Sequence, residues 1–442
     1  MLAYLKVIPL IPNFDNMTIP ALYEIYKKHP SVQTDTRKIK KDDLFFALKG
    51  PNFNGNNFAL NALEVGAAYC VCDEHFENTN EKIIIVTDVL TTLQDLAKYH
   101  RQQFNIPFIA ITGSNGKTTT KELMYAVLSS HYKCYTTQGN LNNHIGVPLT
   151  ILSIKKDAEM AVIEMGANHQ KEIESYCAYT LPNYGLITNC GKAHLEGFGG
   201  VEGVKKGKGE LYNYLAENEG TIFINTDYDY LKEMGKNVAD QITYGTSKGF
   251  VRGKLVNTDA QFLAVKFENY NEGLIIQTKL AGSYNLPNVL AAVCVGDYFD
   301  VPTEKIKNAI ENYEPTNSRS QIIIKDTNTI LIDAYNANPS SMQVAIENFA
   351  AMEGKHKIVI LGSMMELGIA SLAEHKSIVS LLQKYTWQQV VLTGVDYKNV
   401  PTNFIHFTTT EATANWYKKQ NFKNCTILIK GSRSMGMERV LD

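Results

Sequence analysis

Residues 113–119 have the types and the spacing of a phosphate-binding loop. In order they are Gly113, Ser114, Asn115, Gly116, Lys117, Thr118 and Thr119. An apolar run at 108–111 predicts a buried strand before the loop, and apolar residues at helical spacing predict a helix after it. In such a unit, glycines turn backbone amides toward an anion, and the helix N-terminus adds partial positive charge. Lys117 would reach the outer phosphates and the Thr118 hydroxyl would bind Mg²⁺. The usual first glycine is replaced by Ile111, so we predict a nucleoside triphosphate site of a shortened type.

Polar residues follow two further predicted strands. Glu164 closes an apolar run, and a carboxylate at a strand tip beside a phosphate loop is suited to bind Mg²⁺. His194 follows the next strand and is a candidate metal ligand, acid–base group or loop cap. Lys205, Lys206 and Lys208 are expected to open a helix, and their positions alone do not single out one of the three.

The second half of the chain adds three polar groups. Asn285 and Asn288 lie at a predicted helix start, where they could contact an adenine edge or cap the helix. Asp333 ends a predicted strand and is a candidate for ribose hydroxyls or metal-bound water. Lys430 and Arg433 offer cations to a carboxylate or a phosphate.

The elements that must position these residues alternate between strands and helices. We predict an α/β protein with three domains: a small α/β domain (17–104), a central domain with a mostly parallel sheet (105–313) and a doubly wound, Rossmann-like domain (314–442). Residues 246–278 are rich in strand-forming residues and are expected to form a small antiparallel insertion. Residues 1–16 are given no role.

Composition excludes several classes of partner. The chain has 442 residues and a net charge of −2, so no basic excess indicates nucleic acid or a membrane surface. No apolar run reaches the ~18 residues of a spanning helix, and the apolar start is not expected to be a signal peptide. Seven scattered cysteines without a Cys-x-x-Cys pair predict neither a zinc site nor a disulfide framework, which fits the cytoplasm. No long apolar seam indicates an obligate oligomer, so we expect a monomer.

Taken together, these motifs resemble the Mur ligase family, the ATP-dependent amide-forming enzymes of peptidoglycan precursor synthesis. The resemblance covers about residues 18–440. It is carried by the segments 112–119, 139–148, 164–169, 193–199, 333–339, 365–368 and 430–434.

The resemblance implies roles for individual residues. Lys208 aligns with the family's carbamylated lysine. Thr118 and Glu164, with Lys117, would hold the phosphates and a first Mg²⁺, and His194 and the Lys208 carbamate would hold a second. The nucleotide contacts would be completed by Asn285, Asn288, Arg319 and Asp333. The segments resembling substrate-binding positions contain Thr36, Arg37, Asn54, Gly55, Asn140, Asn142, Asn143, Tyr335, Asn336, Asn338, Lys430 and Arg433.

The implied activity is ATP-dependent joining of D-alanyl-D-alanine to UDP-N-acetylmuramoyl-tripeptide through an acyl phosphate. The Asp-Asn-Pro-Arg tetrapeptide typical of the diamino-acid-adding relative is absent, which favours dipeptide addition. The chain departs from the family pattern at Asn54 and Asn56, where Asp and His are usual, and at His144, Tyr284 and Ser363. The alternatives are another amino-acid-adding Mur ligase, a folylpolyglutamate synthase-like ligase, and a phosphate-loop ATPase or switch module without an acceptor.

Overall fold

The structure is a computed structural model that describes residues 17–76, 80–257, 261–269, 273–315 and 318–442. Residues 1–16 therefore lie outside the described part of the chain. Contacts divide the chain into two compact units. The first comprises the described residues up to Asn105 with Thr137–Lys156 and Ala178–Leu181, and the second comprises the other described residues. The three predicted domain boundaries stay a prediction.

Helices occur throughout the described residues. They are α1 (Ile19–Lys28), α2 (Ala59–Glu64), α3 (Val89–Arg101), α4 (Lys117–Ser129), α5 (Gly146–Leu152), α6 (Glu172–Thr180), α7 (Leu195–Phe198), α8 (Val201–Glu217), α9 (Asp229–Gly235), α10 (Leu286–Tyr298), α11 (Thr303–Asn312), α12 (Pro339–Ala351), α13 (Ser371–Leu382) and α14 (Thr410–Gln420). None of these described helices is long and apolar enough to cross a membrane.

The strands alternate with these helices along the chain. They are β1 (Val32–Gln33), β2 (Leu44–Phe46), β3 (Lys49–Gly50), β4 (Phe53–Asn54), β5 (Tyr69–Cys72), β6 (Ile83–Ile85), β7 (Phe108–Thr112), β8 (Cys134–Thr136), β9 (Met160–Glu164), β10 (Tyr184–Ile187), β11 (Thr221–Asn225), β12 (Asp240–Gly245), β13 (Val251–Leu255), β14 (Ala264–Phe267), β15 (Ile275–Gln277), β16 (Gln321–Lys325), β17 (Asn328–Asp333), β18 (Ile358–Gly362), β19 (Gln389–Thr393), β20 (Ile405–Phe407) and β21 (Thr426–Lys430).

The first unit contains a parallel sheet of four strands in the order β1-β2-β5-β6. The short hairpin of β3 and β4 lies beside it in the chain. Helix α3 packs against α1 and α5. The centre of this packing is His100, which is buried against the Tyr26 and Phe104 rings.

The second unit contains a sheet of nine strands in the order β15-β14-β13-β12-β11-β10-β7-β9-β8. The seven strands from β7 to β13 pair in parallel with their neighbours among these strands. Every residue of β7 and β9 is buried. Continuous burial of this kind requires helices on both faces, which explains the unbroken apolar runs in the sequence. The phosphate loop follows β7, which lies between β10 and β9 and is the third strand from the β8 edge of this sheet.

The same unit contains a second sheet of six strands in the order β16-β17-β21-β18-β19-β20. Only β16 is antiparallel to its neighbour, and the other pairs are parallel. The α/β class with a largely parallel central sheet is confirmed. The short strands β1 and β20 were not predicted, because two or three residues are too few to show a periodic pattern.

The segment 246–278 is antiparallel, as expected, but it is not a separate insertion. Strand β13 pairs in parallel with β12, while β14 and β15 continue antiparallel from it. The three strands therefore extend the edge of the nine-stranded sheet. Their side chains Val251, Val265 and Phe267 join the apolar core shared with α10.

His100 makes the stability of the first unit depend on pH. Its Nε2–H donates to the Ile154 carbonyl at 2.8 Å, and its Nδ1 accepts from the Tyr23 hydroxyl at 3.0 Å, so the neutral ring satisfies both partners. Burial lowers the pKa of His100 below its ordinary 6.5. A lowered folded-state pKa contributes stability above pH 6.5 that is lost as the pH falls, because the unfolded chain then binds more protons.

We expect His100→Gln to reduce the fall in melting temperature between about pH 7.5 and about pH 5.5. Differential scanning calorimetry measures this. His75→Gln, at an exposed histidine of the same unit, is the control. An unchanged pH dependence in His100→Gln would contradict the assignment.

Candidate active site

The phosphate loop between β7 and α4 depends on two glycines. Gly113 and Gly116 have φ values of 142° and 80°, a region that favours glycine. A Cβ atom on Gly113 would lie 2.0 Å from Oγ1 of Thr188, and one on Gly116 would lie 2.7 Å from Oδ1 of Asn288. The loop therefore needs glycine for its backbone angles and for the close approach of these side chains.

Residues that follow β10 hold the loop in place. The Ser114 amide donates to the Asn189 carbonyl at 2.8 Å, and the Asn115 amide donates to Asn189 Oδ1 at 3.1 Å. The Thr188 hydroxyl donates to the Asn115 carbonyl at 2.6 Å. The sequence predicted no role for Thr188 and Asn189. Only the pairing of β10 with β7 brings them to the loop.

The structure brings Thr118 and Glu164 into contact, and Lys117 precedes Thr118 at the start of α4. Nζ of Lys117 donates to the Gly113 carbonyl at 2.7 Å, and burial lowers the pKa of Lys117. The Thr118 hydroxyl donates to Oε1 of Glu164 at 3.1 Å, and Glu164 is buried at the end of β9. A hydroxyl and a carboxylate oxygen beside a phosphate loop are the donor types that Mg²⁺ prefers.

Lys208 differs from its neighbouring lysines by its burial. Its side chain is buried in the middle of α8, where Nζ donates to the Ala167 carbonyl at 3.0 Å and lies 5.0 Å from the centre of the Phe198 ring. Lys206 is exposed, and Lys205 forms an ion pair with Glu202 on the same helix. Burial, followed by the nearby Lys117 ammonium, lowers the pKa of Lys208 to about 7.

The expectation that residues 205–210 open a helix was wrong. Helix α8 begins at Val201, directly after Gly200, whose φ of 108° interrupts the helical backbone. Gly207 lies inside α8, and its missing side chain leaves room for the Phe198 ring. A Cβ there would lie 2.5 Å from that ring.

His194 lies before α7 with a φ of 51°, and its Nδ1 contacts the Glu366 carboxylate. Glu366 belongs to a loop after β18, in the six-stranded sheet. Sequence reasoning identified the loop as a motif but assigned it no role.

Two guanidinium groups meet one aromatic ring near the end of β17. The Arg319 guanidinium carbon lies 3.4 Å from the centre of the Tyr335 ring, and that of Arg433 lies 5.2 Å from it. Both distances are within the range of cation–π attraction. Arg319 is also close enough to contribute to the lowered pKa of Lys117, so this cluster lies near the phosphate loop.

Lys430 is less available than the sequence suggested. Its buried Nζ bonds to Oδ2 of Asp333 at 2.6 Å and to the Asn336 carbonyl at 3.1 Å. The Asp333 carboxylate neutralises it, so Arg433, with 65% of its side chain exposed, is the cation of this motif that faces solvent.

Asn338 joins the C-terminal sheet to the loop. It caps α12 by accepting from the Ser341 amide at 2.9 Å, and its Nδ2 donates to Oδ1 of Asn115 at 2.7 Å. Ser340 on the same helix accepts from the Lys192 amide at 2.8 Å.

Asn285 and Asn288 are both buried beneath the loop. Nδ2 of Asn285 donates to the Ala281 carbonyl at 2.7 Å, and Nδ2 of Asn288 donates to Oδ1 of Asn285 at 2.9 Å. The Thr120 hydroxyl donates to Oδ1 of Asn288 at 3.0 Å. In this arrangement the two amides support the loop and the start of α10, and their contact with adenine stays a prediction.

The first unit contains the residues predicted to bind the nucleotide sugar. Arg37, next to Thr36, forms a two-point ion pair with Asp35, at 2.9 and 2.8 Å. Oδ1 of Asn54 accepts from the Asn56 amide at 3.0 Å. A Cβ on Gly55 would lie 2.5 Å from a backbone oxygen of the chain, so this turn needs glycine.

The segment 139–148 belongs to the same unit. Oδ1 of Asn143 accepts from the Gly146 amide at 2.8 Å and so caps the start of α5. Asn140 is exposed and Asn142 is half-buried. Their contact with substrate stays a prediction.

The described residues contain no group of three His, Cys, Asp or Glu side chains that could hold a metal ion. A metal at this site would therefore need further oxygen atoms, such as those of a bound nucleotide, besides the Thr118 hydroxyl and the Glu164 carboxylate. The donor set fits Mg²⁺ beside phosphates better than it fits a site built only from protein ligands.

We expect Gly113→Ala to weaken binding of a fluorescent ATP analogue at least about tenfold, because the new Cβ displaces the loop amides from the anion. Equilibrium titration measures this. Gly209→Ala is the matched control, since its Cβ meets only Met234 Cε at 3.4 Å. Equal affinities for Gly113→Ala and the wild type would show that this loop does not hold the phosphates.

Three family models match the chain. The model described as Mur ligase family, catalytic domain, matches residues 30–101. The Mur ligase middle domain matches residues 111–296, and the Mur ligase, glutamate ligase domain matches residues 318–433. Together they cover the phosphate loop, Lys208, the Arg319 cluster and the motif that contains Glu366.

Curated relatives and solved structures agree with these models. The UDP-N-acetylmuramoyl-tripeptide–D-alanyl-D-alanine ligases of Bacillus subtilis and Escherichia coli are each 33% identical over 93% of this chain and 92% of their own length. A crystal structure of MurF from Acinetobacter baumannii has a TM-score of 0.84 at 29% identity, covering 93% of this chain and 92% of its own. The MurF ligase from Thermotoga maritima in complex with ADP has a TM-score of 0.83 at 26% identity, covering 93% and 96%. The chain therefore belongs to the Mur ligase family.

Proposed function

We propose that this protein is an ATP-dependent ligase that joins D-alanyl-D-alanine to UDP-N-acetylmuramoyl-tripeptide in peptidoglycan precursor synthesis. The observation that carries the proposal is the match, over 93% of the chain, to relatives named for this reaction. The phosphate loop, the half-buried Lys117 and the carboxylate of Glu164 are the parts that such a reaction needs.

The reaction has two steps. The terminal carboxylate of the tripeptide attacks the γ-phosphorus of ATP, giving an acyl phosphate and ADP. The amine of D-alanyl-D-alanine then attacks the acyl carbon, and the tetrahedral intermediate loses phosphate to leave the amide. The chain contributes mainly by positioning the reactants and neutralising charge.

The charge on the transferred phosphoryl group is met by the loop amides and by Lys117. The Lys117 ammonium now bonds to the Gly113 and Ser114 carbonyls, at 2.7 and 3.3 Å. We propose that it exchanges these weak partners for phosphate oxygens when the nucleotide binds. Because Lys117 is half-buried, its attraction for phosphate is screened less than that of an exposed lysine.

Two Mg²⁺ ions are proposed for this site, and they would neutralise charge on the phosphate oxygens. Thr118 and Glu164, which already bond to each other at 3.1 Å, would hold the first ion. His194 and a carbamate on Lys208 would hold the second.

Carbamylation of Lys208 is supported by its surroundings. The side chain is buried and bonds only to carbonyl oxygen in the contacts seen, so burial and Lys117 lower its pKa to about 7. The neutral amine is the form that attacks CO₂, giving a carbamate and releasing one proton. The product is an anion with two oxygen donors, which removes the repulsion from Lys117 and provides metal ligands.

We propose that the remaining predicted residues bind the substrates. Thr36, Arg37, Asn54 and Gly55 would bind the uridine diphosphate, and Arg433 would bind the carboxylate of the incoming dipeptide. Arg319 and Asp333 would contact the nucleotide from the C-terminal sheet.

We also propose that the protein acts as a monomer in the cytoplasm. All seven cysteines are buried free thiols, as expected in a reducing compartment. Sedimentation at working concentrations tests the monomer.

Phosphate release and product mass test the function directly. With ATP, Mg²⁺ and UDP-N-acetylmuramoyl-tripeptide, we expect phosphate release to require D-alanyl-D-alanine, with one pentapeptide formed per phosphate. Single amino acids replace the dipeptide as the control for a different ligase of the family. Phosphate release without either substrate would contradict the proposal and indicate an ATPase.

Lys208→Ala is expected to lower ligation at least about a hundredfold, because the second metal loses its anionic ligand. Short carboxylates such as acetate or formate should partly restore it by occupying the space of the carbamate. Lys206→Ala, at an exposed lysine on the same helix, should keep wild-type activity. Full ligation by Lys208→Ala without added carboxylate would remove the carbamate from the mechanism.

A further inference from the structure

We propose that Glu366 is a positioning residue that fixes His194 as a metal ligand, and that this is the purpose of the motif Met365-Glu366-Leu367-Gly368. The inference rests on the proposed function, in which His194 holds the second Mg²⁺. It gives a role to a motif that neither the fold nor the reaction has yet explained.

The contact between the two side chains identifies which nitrogen faces the carboxylate. Nδ1 of His194 contacts Oε2 of Glu366. The Glu366 backbone contributes as well, because its carbonyl accepts from the Glu196 amide at 3.4 Å, at the start of α7. Glu366 thus holds the histidine ring and the helix that follows it.

This geometry determines what His194 can offer a metal. A neutral imidazole has one N–H and one lone pair, and a carboxylate beside Nδ1 keeps the proton on that nitrogen. Nε2 then presents its lone pair. A carboxylate behind a metal-binding histidine in this way orients the ring and increases its basicity.

The loop that carries Glu366 is built to present it. Glu366 has a φ of 61° and His194 a φ of 51°, so both partners adopt a backbone conformation that residues other than glycine seldom take. Such strain persists where the surroundings impose it, and it is common at functional sites. The Met365 amide donates to the Ser432 hydroxyl at 2.9 Å, and the Met364 amide donates to Nε2 of His375 at 3.0 Å.

The two residues come from different sheets of the second unit. His194 follows β10 in the nine-stranded sheet, whereas Glu366 follows β18 in the six-stranded sheet. A residue that follows the six-stranded sheet therefore positions a proposed metal ligand that follows the nine-stranded sheet. A second ion pair, Lys192 with Glu374 at 2.6 Å, joins the same parts without contacting His194. It provides a matched control.

The first test is the tautomer of His194 in the full-length protein without metal or nucleotide. Protein labelled with ¹⁵N-histidine is measured by two-dimensional ¹H–¹⁵N NMR, and His194→Gln assigns the signals among the ten histidines. We expect the Nδ1–H form in the wild type and in Glu374→Ala, and a loss of that form in Glu366→Ala. Glu366→Gln should keep it, because its amide oxygen can accept the Nδ1–H. An unchanged tautomer in Glu366→Ala would overturn the proposal.

The second test is binding of Mn²⁺, as a probe for Mg²⁺, in the presence of ADP, followed by electron paramagnetic resonance. Glu366→Ala should weaken the second Mn²⁺ at least about tenfold, with Glu366→Gln intermediate and Glu374→Ala unchanged. Equal weakening in Glu366→Ala and Glu374→Ala would overturn the proposal, since it would assign the effect to contact between the sheets. Wild-type protein that fails to ligate would instead refute the proposed function, and the tautomer measurement is independent of that result.

Discussion

Lys117 is half-buried and Lys208 is fully buried, and burial together with the repulsion between their ammonium groups constrains this site. In the contacts seen, Lys117 and Lys208 bond to backbone carbonyl oxygens, and Lys117 contributes to lowering the pKa of Lys208 to about 7. A buried cation without an anionic partner is costly, so the site gains stability when anions arrive or when one lysine loses its charge. Nucleotide phosphates beside Lys117 would supply the anions, and a carbamate on Lys208 would remove the charge of its ammonium group. The same arrangement would then provide binding energy and metal ligands.

The phosphate loop binds anions best when it has the same shape with and without its ligand. Asn115 shows how this is achieved, because its amide, carbonyl and side chain are each held by a different group: Asn189, Thr188 and Asn338 respectively. Such preorganisation means that little reorganisation is needed when phosphate binds. Because Asn338 caps α12 of the C-terminal sheet, the loop is held from both sheets of the second unit. The contact of Glu366 with His194 likewise joins residues that follow the two sheets, at the proposed ligand of the second metal.

Much of this arrangement was predictable from local patterns. The strand before the phosphate loop and the position of Glu164 at a strand end follow from short apolar runs that end in polar residues, and Thr118 and Glu164 lie in contact. The start of α8 was mispredicted, because glycines in a sequence often mark the end of a helix. In the structure Gly207 lies inside α8, where its missing side chain leaves room for the Phe198 ring. Lys430 was predicted as a free cation, whereas its pairing with Asp333 depends on the register of β17 and β21.

The sequence by itself indicated the phosphate loop and the parallel α/β architecture, since these depend on residue types at short spacing along the chain. It indicated the reaction class and Lys208 only through resemblance to a family. The tertiary structure decided which of the three nearby lysines is buried, which strand end holds the loop and which carboxylate contacts His194. These choices depend on strand order and on contacts between residues far apart in the chain. Burial and charge proximity are properties of the folded arrangement, and no local pattern of residues specifies them.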